Sequence, residues 1–223
     1  MSQKLNVLLI CALFAVPSMA DLLTNGDFET NPGSQVDLIP GSTTINGWTI
    51  TGPGADVAWL PSGYAGIAAE AGNSFLDLTG AGYSVGSDAG VEQTVSLVAG
   101  AYTMTFYVGS IGNDEPDSVY ASAGDQSNVV FTDSDTGAGY HWALETLNFN
   151  VATTGPVTIS LVGDAADSEV DSPYIGLDNV DLEVAGSAPS SAPEPSMAIP
   201  LFLVFGGWLL RRKARAGKTQ ICG

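Results

Sequence analysis

Apolar and polar positions alternate in three clear places along the chain. Tyr102, Met104, Phe106 and Val108 alternate with Thr103, Thr105 and Tyr107; Leu147, Phe149 and Val151 alternate with asparagines; Val157, Ile159 and Leu161 alternate with Thr158 and Ser160. A period of two sends successive side chains to opposite faces of a strand, so each run predicts a strand with one apolar and one wet face. Glycine, proline and Asx residues punctuate these runs, and no segment between 21 and 190 keeps a helical period over a useful length. The predicted fold class is all-β, an antiparallel sandwich with one wet face per sheet.

The pattern also repeats itself. TVSLVAGAYTMTFYVG (94–109) and LNFNVATTGPVTISLVG (147–163) both read strand, glycine turn, strand, with apolar residues two, four and six places after Gly100 and Gly155. Each is expected to be a hairpin giving alternate side chains to a core. The chain between them differs, so the pair is not a solenoid repeat.

Two apolar runs lack any alternation, and they lie at the ends. Lys4 precedes Leu5 to Val16, broken only by Asn6, and Pro17-Ser18-Met19-Ala20 follows with small residues at its second and last places. This reads as a secretory signal peptide over 1–20 with cleavage before Asp21. Cys11 lies inside the apolar run after Ile10, where a lipobox would need a small residue, so it belongs to the signal. The second run, MAIPLFLVFGGWLL (197–210), has 14 residues and no polar face, and Arg211-Arg212-Lys213-Ala214-Arg215 closes it. As a helix it would span about 21 Å against a hydrocarbon core of about 30 Å. The cationic stop still favours a short transmembrane helix over a core helix, because arginine stems can snorkel to the interface.

Charge sharpens this division. All six Lys and Arg lie in the terminal segments, while residues 21–193 carry 23 Asp and Glu and no basic residue. The central domain cannot form a Lys or Arg salt bridge, should repel nucleic acid, and has no arginine with which to grip phosphate. Its single histidine is His141 and it has no cysteine, the two of the chain being Cys11 and Cys222, so no disulfide framework is available. The expected organisation is a signal peptide (1–20), a β-sandwich domain (21–185), a Pro/Ser/Ala linker (186–192) and a C-terminal signal (193–223) with its apolar helix at 197–210 and basic tail at 211–218.

The order Pro193-Glu194-Pro195, apolar helix, Arg cluster, chain end resembles the PEP-CTERM sorting signal of Gram-negative bacteria. That resemblance implies recognition by an exosortase, cleavage near the Pro193-Glu194-Pro195 motif, and transfer to the cell surface or extracellular matrix. A tail anchor that is never processed is the alternative.

Within the domain, Leu22-Leu23-Thr24-Asn25-Gly26-Asp27-Phe28-Glu29 opens the sequence and Gly176-Leu177-Asp178-Asn179-Val180-Asp181-Leu182 closes it, with Gly47-Trp48-Thr49-Ile50 and Glu92-Gln93-Thr94-Val95 between. This bracket resembles the galactose-binding-like jelly-roll superfamily, to which bacterial carbohydrate-binding modules and the plant cell-wall proteins carrying "domain of unknown function 642" belong. The resemblance implies that the first and last strands meet and hold a structural Ca²⁺, with Glu29 and Asp178 as side-chain ligands and Asp27 as a carbonyl donor. Hard oxygen ligands are what that ion takes. Alternatively, Glu29 and Asp178 cap strand ends or accept backbone N–H groups.

The aromatic residues are the candidate ligand surface, since sugars stack their C–H faces on flat rings. Trp59 and Tyr64 flank the turn Leu60-Pro61-Ser62-Gly63, and Trp142 follows the Gly-rich stretch 135–139. Packing in the core is the competing reading for all three, and Trp48, in phase with Ile50, belongs to the core. No nucleophile motif, Zn²⁺ ligand set or phosphate loop is present, and carboxylates are too many to single out a catalytic pair. The expectation is a non-catalytic, exported carbohydrate-binding or matrix protein with extracellular polysaccharide as partner. The rival reading is a structural acidic matrix protein that acts by bridging divalent cations.

Overall fold

A computed structural model describes residues 21–30, 33–52, 56–81, 89–111, 118–132, 139–164 and 175–186. The expected signal peptide, Pro-rich linker, Pro193-Glu194-Pro195 motif, apolar helix and basic tail lie outside the described residues, apart from Gly186. Among the described residues no helix is long and apolar enough to cross a membrane.

The described chain forms two antiparallel sheets. One has six strands in the order β1 (Val36–Leu38), β3 (Asp56–Pro61), β4 (Ser74–Ala81), β11 (Gly176–Val184), β6 (Gly100–Ile111) and β9 (Tyr140–Val151). The other has five, in the order β2 (Thr49–Thr51), β5 (Gly90–Leu97), β10 (Gly155–Gly163), β7 (Ser118–Ala123) and β8 (Gln126–Thr132). The alternating runs form strands as expected. Met104, Phe106 and Val108 of β6, Leu147 and Phe149 of β9, and Ile159 and Leu161 of β10 all meet in the core between the sheets.

The repeated pattern has a different meaning from the hairpins it suggested. β5 and β6 are joined by a two-residue turn yet belong to opposite sheets, and so do β9 and β10. The reason is that both strands of each unit carry apolar residues destined for the same core, which lies between them when the chain arches over rather than doubling back in one sheet. The two arches then pair with each other, β5 with β10 and β6 with β9. Ala99 N–H donates to Thr154 Oγ1 at 3.0 Å and ties one turn to the other.

The ends of the domain meet at the centre of the six-stranded sheet. β11 pairs with β6 along most of its length but with β4 only at Gly176 and Leu177. Beyond that point the opening segment covers the edge, with Leu22 N–H on Leu182 O at 3.1 Å and Val180 N–H on Gly26 O at 2.9 Å. A Cβ at Gly26 would run into the Val180 carbonyl, so only glycine allows this approach. Phe28 then plugs the core, fully buried against Trp48 at 5.5 Å between ring centroids. Both core indoles report on this segment: Trp48 Nε1 donates to Asn25 O at 3.0 Å and Trp59 Nε1 to Phe28 O at 2.9 Å.

Candidate functional site

The outer face of the six-stranded sheet is apolar in one place, which an amphipathic sheet facing water should avoid. Ala58 and Leu60 of β3 and Phe75 of β4 form a second small core there, covered by Ile67, with Tyr64, Ala69, Tyr140 and Trp142 packed around it. The cover is the loop 62–73. Two carboxylates hold it down. Glu29 accepts Asn73 N–H on both oxygens at 2.8 Å, Ser74 N–H at 3.2 Å and Asn73 Nδ2 at 3.1 Å. Gly72, at φ +65°, faces this carboxylate so closely that a Cβ would overlap it. Asp178 takes the N–H groups of Glu70 and Ala71 on Oδ2 at 2.9 and 3.3 Å, and Asn179 N–H on Oδ1 at 2.8 Å.

Opposite the loop, two aromatic side chains reach inward from the edge strand β9. Gly109 of β6 faces Gly176 of β11 in register, and Trp142 of β9 is next in the row. With no Cβ at either glycine, Tyr140 and Trp142 lie across both strands; an added Cβ at Gly109 or Gly176 would strike the Tyr140 hydroxyl and the Trp142 ring. The indole ends against the loop, where Nε1 donates to Ala68 O at 3.0 Å, and its ring stands edge-on to Phe75 at 5.7 Å and Tyr140 at 5.2 Å.

A polar set adjoins these rings. Tyr107 of β6 hydrogen-bonds the Glu70 carboxylate, and Asn179 Nδ2 donates to Glu70 Oε2 at 3.3 Å. Leu144, in register with Tyr107, is 57 % exposed beside it. The next rows carry Asp181, Thr105 and Thr146, then Glu183, Thr103 and Asn148. Rings on one side and hydroxyl, amide and carboxylate groups on the other suit a ligand with an apolar face and many hydroxyls.

A family profile described as "Protein of unknown function (DUF642)" matches residues 21–182. The chain belongs to the DUF642 family. A search of curated proteins finds none that match the sequence. Among solved structures, the DUF642 domain is similar to TmCBM61 in complex with β-1,4-galactotriose, at 16 % identity over 74 % of this chain and 99 % of that one, TM-score 0.49. It is also similar to a cyclase from Fischerella sp. TAU (19 % identity, 76 % and 97 % coverage, TM-score 0.49) and to a family 16 carbohydrate-binding module (19 %, 64 % and 96 %, TM-score 0.39). These are likenesses of a two-sheet antiparallel sandwich.

Of the three expected ligand-binding aromatics, the DUF642 domain brings Tyr64 and Trp142 to the same outer cluster and sends Trp59 to the other side of the sheet. Trp59 is 3 % exposed, and its only polar group is spent on Phe28 O, so it cannot stack on a ligand. This is a correction to its reading as a surface residue. β3 is apolar on both faces because it is covered on both, by the main core and by the loop, and that hides which face each residue takes.

Two of the three residues expected to hold Ca²⁺ serve N–H donors in this structure. The Glu29 carboxylate takes three N–H donors, with the Asn73 backbone N–H shared between its two oxygens, and Asp178 takes three. Asp27 is exposed at the surface. Among the described residues no three His, Cys, Asp or Glu side chains come together as a ligand set. Glu29 and Asp178 thus accept backbone N–H groups, one of the two roles their positions allow.

Two buried acids on this face carry raised pKa values. Asp178, 1 % exposed, is pushed up to about 7 by burial, against the pull of its N–H donors and with the charge of Glu70 adding to the rise. Asp77, in register with Gly176 and 8 % exposed, is pushed up to about 6, again by burial first, while Thr79 and Ile175 hydrogen bonds oppose the shift.

Proposed function

We propose that the DUF642 domain is a non-catalytic carbohydrate-binding module of an exported protein, and that the outer face of its six-stranded sheet takes the glycan. The observation that carries this reading is the pair Tyr140 and Trp142, laid across the facing glycines Gly109 and Gly176 beside the Tyr107–Glu70–Asn179 set. Glycines there cost strand stability and serve no packing need of the main core; what they make room for is the inward lay of the two rings. Sugar C–H groups stack on the rings while hydroxyls donate to Glu70 and to the Tyr107 oxygen and accept from Asn179. The loop 62–73, held by Glu29 and Asp178, forms one wall.

The terminal segments support export. A signal peptide over 1–20 delivers the chain across the inner membrane, and Pro193-Glu194-Pro195 with the short apolar run and Arg cluster directs it to an exosortase for release at the surface or into the extracellular matrix. Affinity electrophoresis of the full chain in gels containing neutral polysaccharides tests binding: retardation that disappears in Trp142→Ala supports the reading, and unretarded migration in every gel refutes it. Mass spectrometry of surface-released protein tests sorting, because a mature chain still ending at Gly223 contradicts cleavage at the motif.

A further inference from the structure

We infer that the glycan this face takes is an uncharged one, and that acidic polysaccharides are rejected at the face itself. The inference rests on the carbohydrate-binding reading above and names its ligand class. Every charged side chain around the two rings is a carboxylate. Glu70 hydrogen-bonds Tyr107 and Asn179 at the centre; Asp181 and Glu183 follow on β11, in register with Thr105 and Thr103. Asp21, the first residue of the opening segment, brings its carboxyl into hydrogen-bond contact with Asp181 and accepts Leu182 N–H at 3.2 Å.

Nothing in the domain offsets these charges. Residues 21–193 contain no Lys or Arg, so no cationic side chain can meet a uronate, sulfate or phosphate group. The one histidine, His141, stands between Tyr140 and Trp142 on β9, opposite Ser110, and strand alternation turns it to the other face of the sheet. A carboxylate on a bound sugar would therefore meet only like charge. Held about 5 Å from Glu70 in a half-wet site, each such charge weakens binding by about tenfold at low salt. A neutral sugar gains from the same groups, because its hydroxyls donate to carboxylates in charge-assisted hydrogen bonds, which are the strong ones.

Two routes would let an acidic polymer bind: a divalent cation bridging carboxylate to carboxylate, or contact through some other surface. Both predict the opposite order of affinities from a direct, cation-free site. The test uses the full chain in detergent and pairs of polysaccharides that differ only in charge: polygalacturonate and alginate, each beside its own carboxyl-reduced form. Affinity electrophoresis is run in EDTA at low and at high salt, for wild type, Trp142→Ala and Glu70→Gln. The expected result is retardation by a reduced, neutral polymer and at least tenfold weaker retardation by its acidic parent. The gap should narrow at high salt and in Glu70→Gln, and retardation should vanish in Trp142→Ala. Equal or stronger binding of the acidic polymer in EDTA that is lost in Trp142→Ala, and so is not made by the terminal Lys and Arg residues, overturns the inference but leaves carbohydrate binding standing. Acidic polymers that bind only with Ca²⁺, and then more tightly than the neutral ones, overturn it in favour of cation bridging. Retardation by none of the four polymers, nor by any other neutral polysaccharide, removes the carbohydrate reading and this inference with it.

Discussion

Replacing Asp77 by Asn should make the domain more stable at neutral pH and leave it unchanged near pH 4. Asp77 is 8 % exposed on β4, with no Lys or Arg in the domain to pair with it and the like charge of Asp37 facing it across β3. Burial raises its pKa from 3.8 to about 6, with Thr79 holding it back through an N–H on Oδ1 at 2.9 Å. A carboxyl whose folded pKa lies above its unfolded value is no burden while both states are protonated, below about pH 4. As pH rises from about 4 to about 6 the unfolded chain ionises first, and stability is lost until both states are ionised. A shift of about two units corresponds to about 3 kcal/mol at most. An asparagine has nearly the same shape, keeps an oxygen for the Thr79 N–H and has no proton to lose. For a domain of this size, about 1–3 kcal/mol raises Tm by about 3–10 °C. Thermal unfolding of wild type and Asp77→Asn, followed by circular dichroism from pH 4 to pH 7.5, should show curves that coincide in acid and part between pH 4 and 6, the variant above. Since Asp77 lies beneath the rings, glycan affinity should not change. A variant less stable by the same amount at pH 4 and pH 7 refutes the reasoning, because the carboxyl would then be making a contact that an amide cannot replace.

Glu29→Ala should free the loop 62–73 by leaving three N–H donors without their acceptor, at a cost of about 2–4 kcal/mol, and hydrogen exchange should show protection lost first at the Asn73 and Ser74 amides. Gly176→Ala should cost about 1–3 kcal/mol and displace the Tyr140 and Trp142 rings, so tryptophan fluorescence and neutral-glycan retardation should both change; a variant with wild-type binding would mean that the rings do not form the site. Trp59→Phe should lower Tm through the lost indole bond to Phe28 O and leave glycan binding intact in the folded fraction, in contrast to Trp142→Phe. Because Glu29 and Asp178 already serve N–H donors, melting with and without EDTA should give the same Tm, and a fall of several degrees in EDTA would show a cation that these bonds do not anticipate.

What the sequence revealed depended on whether a strand is covered on one face or two. β6 and β9 each have one wet face, and their alternation is legible residue by residue. Carried further back along β9, the phase of Leu147, Phe149 and Val151 puts Trp142 and Tyr140 with Asn148 and Asn150 on the wet side, and the phase of β6 does the same for Tyr107. An aromatic residue on the polar phase was therefore the available signal for this site; it was present for Tyr140 and Tyr107 as much as for Trp142. β3 gives no such signal. Val57, Ala58, Trp59 and Leu60 are all buried, so period two is erased and no phase tells which face Trp59 takes. Glu70 was hidden for another reason: it sits in a loop whose sequence, Ala68-Ala69-Glu70-Ala71-Gly72-Asn73, has no periodicity, and its place is fixed from far away by Asp178 and Glu29. Those two were legible as a bracket between the chain's ends but not in their role. A carboxylate collects N–H donors or a cation for the same reason, its negative oxygens, and the position of the loop backbone is what brings N–H groups to these two. In a domain without a Lys or Arg, backbone N–H groups are the nearest positive charge available, and here the loop that bears them is also the wall of the face where a glycan would lie.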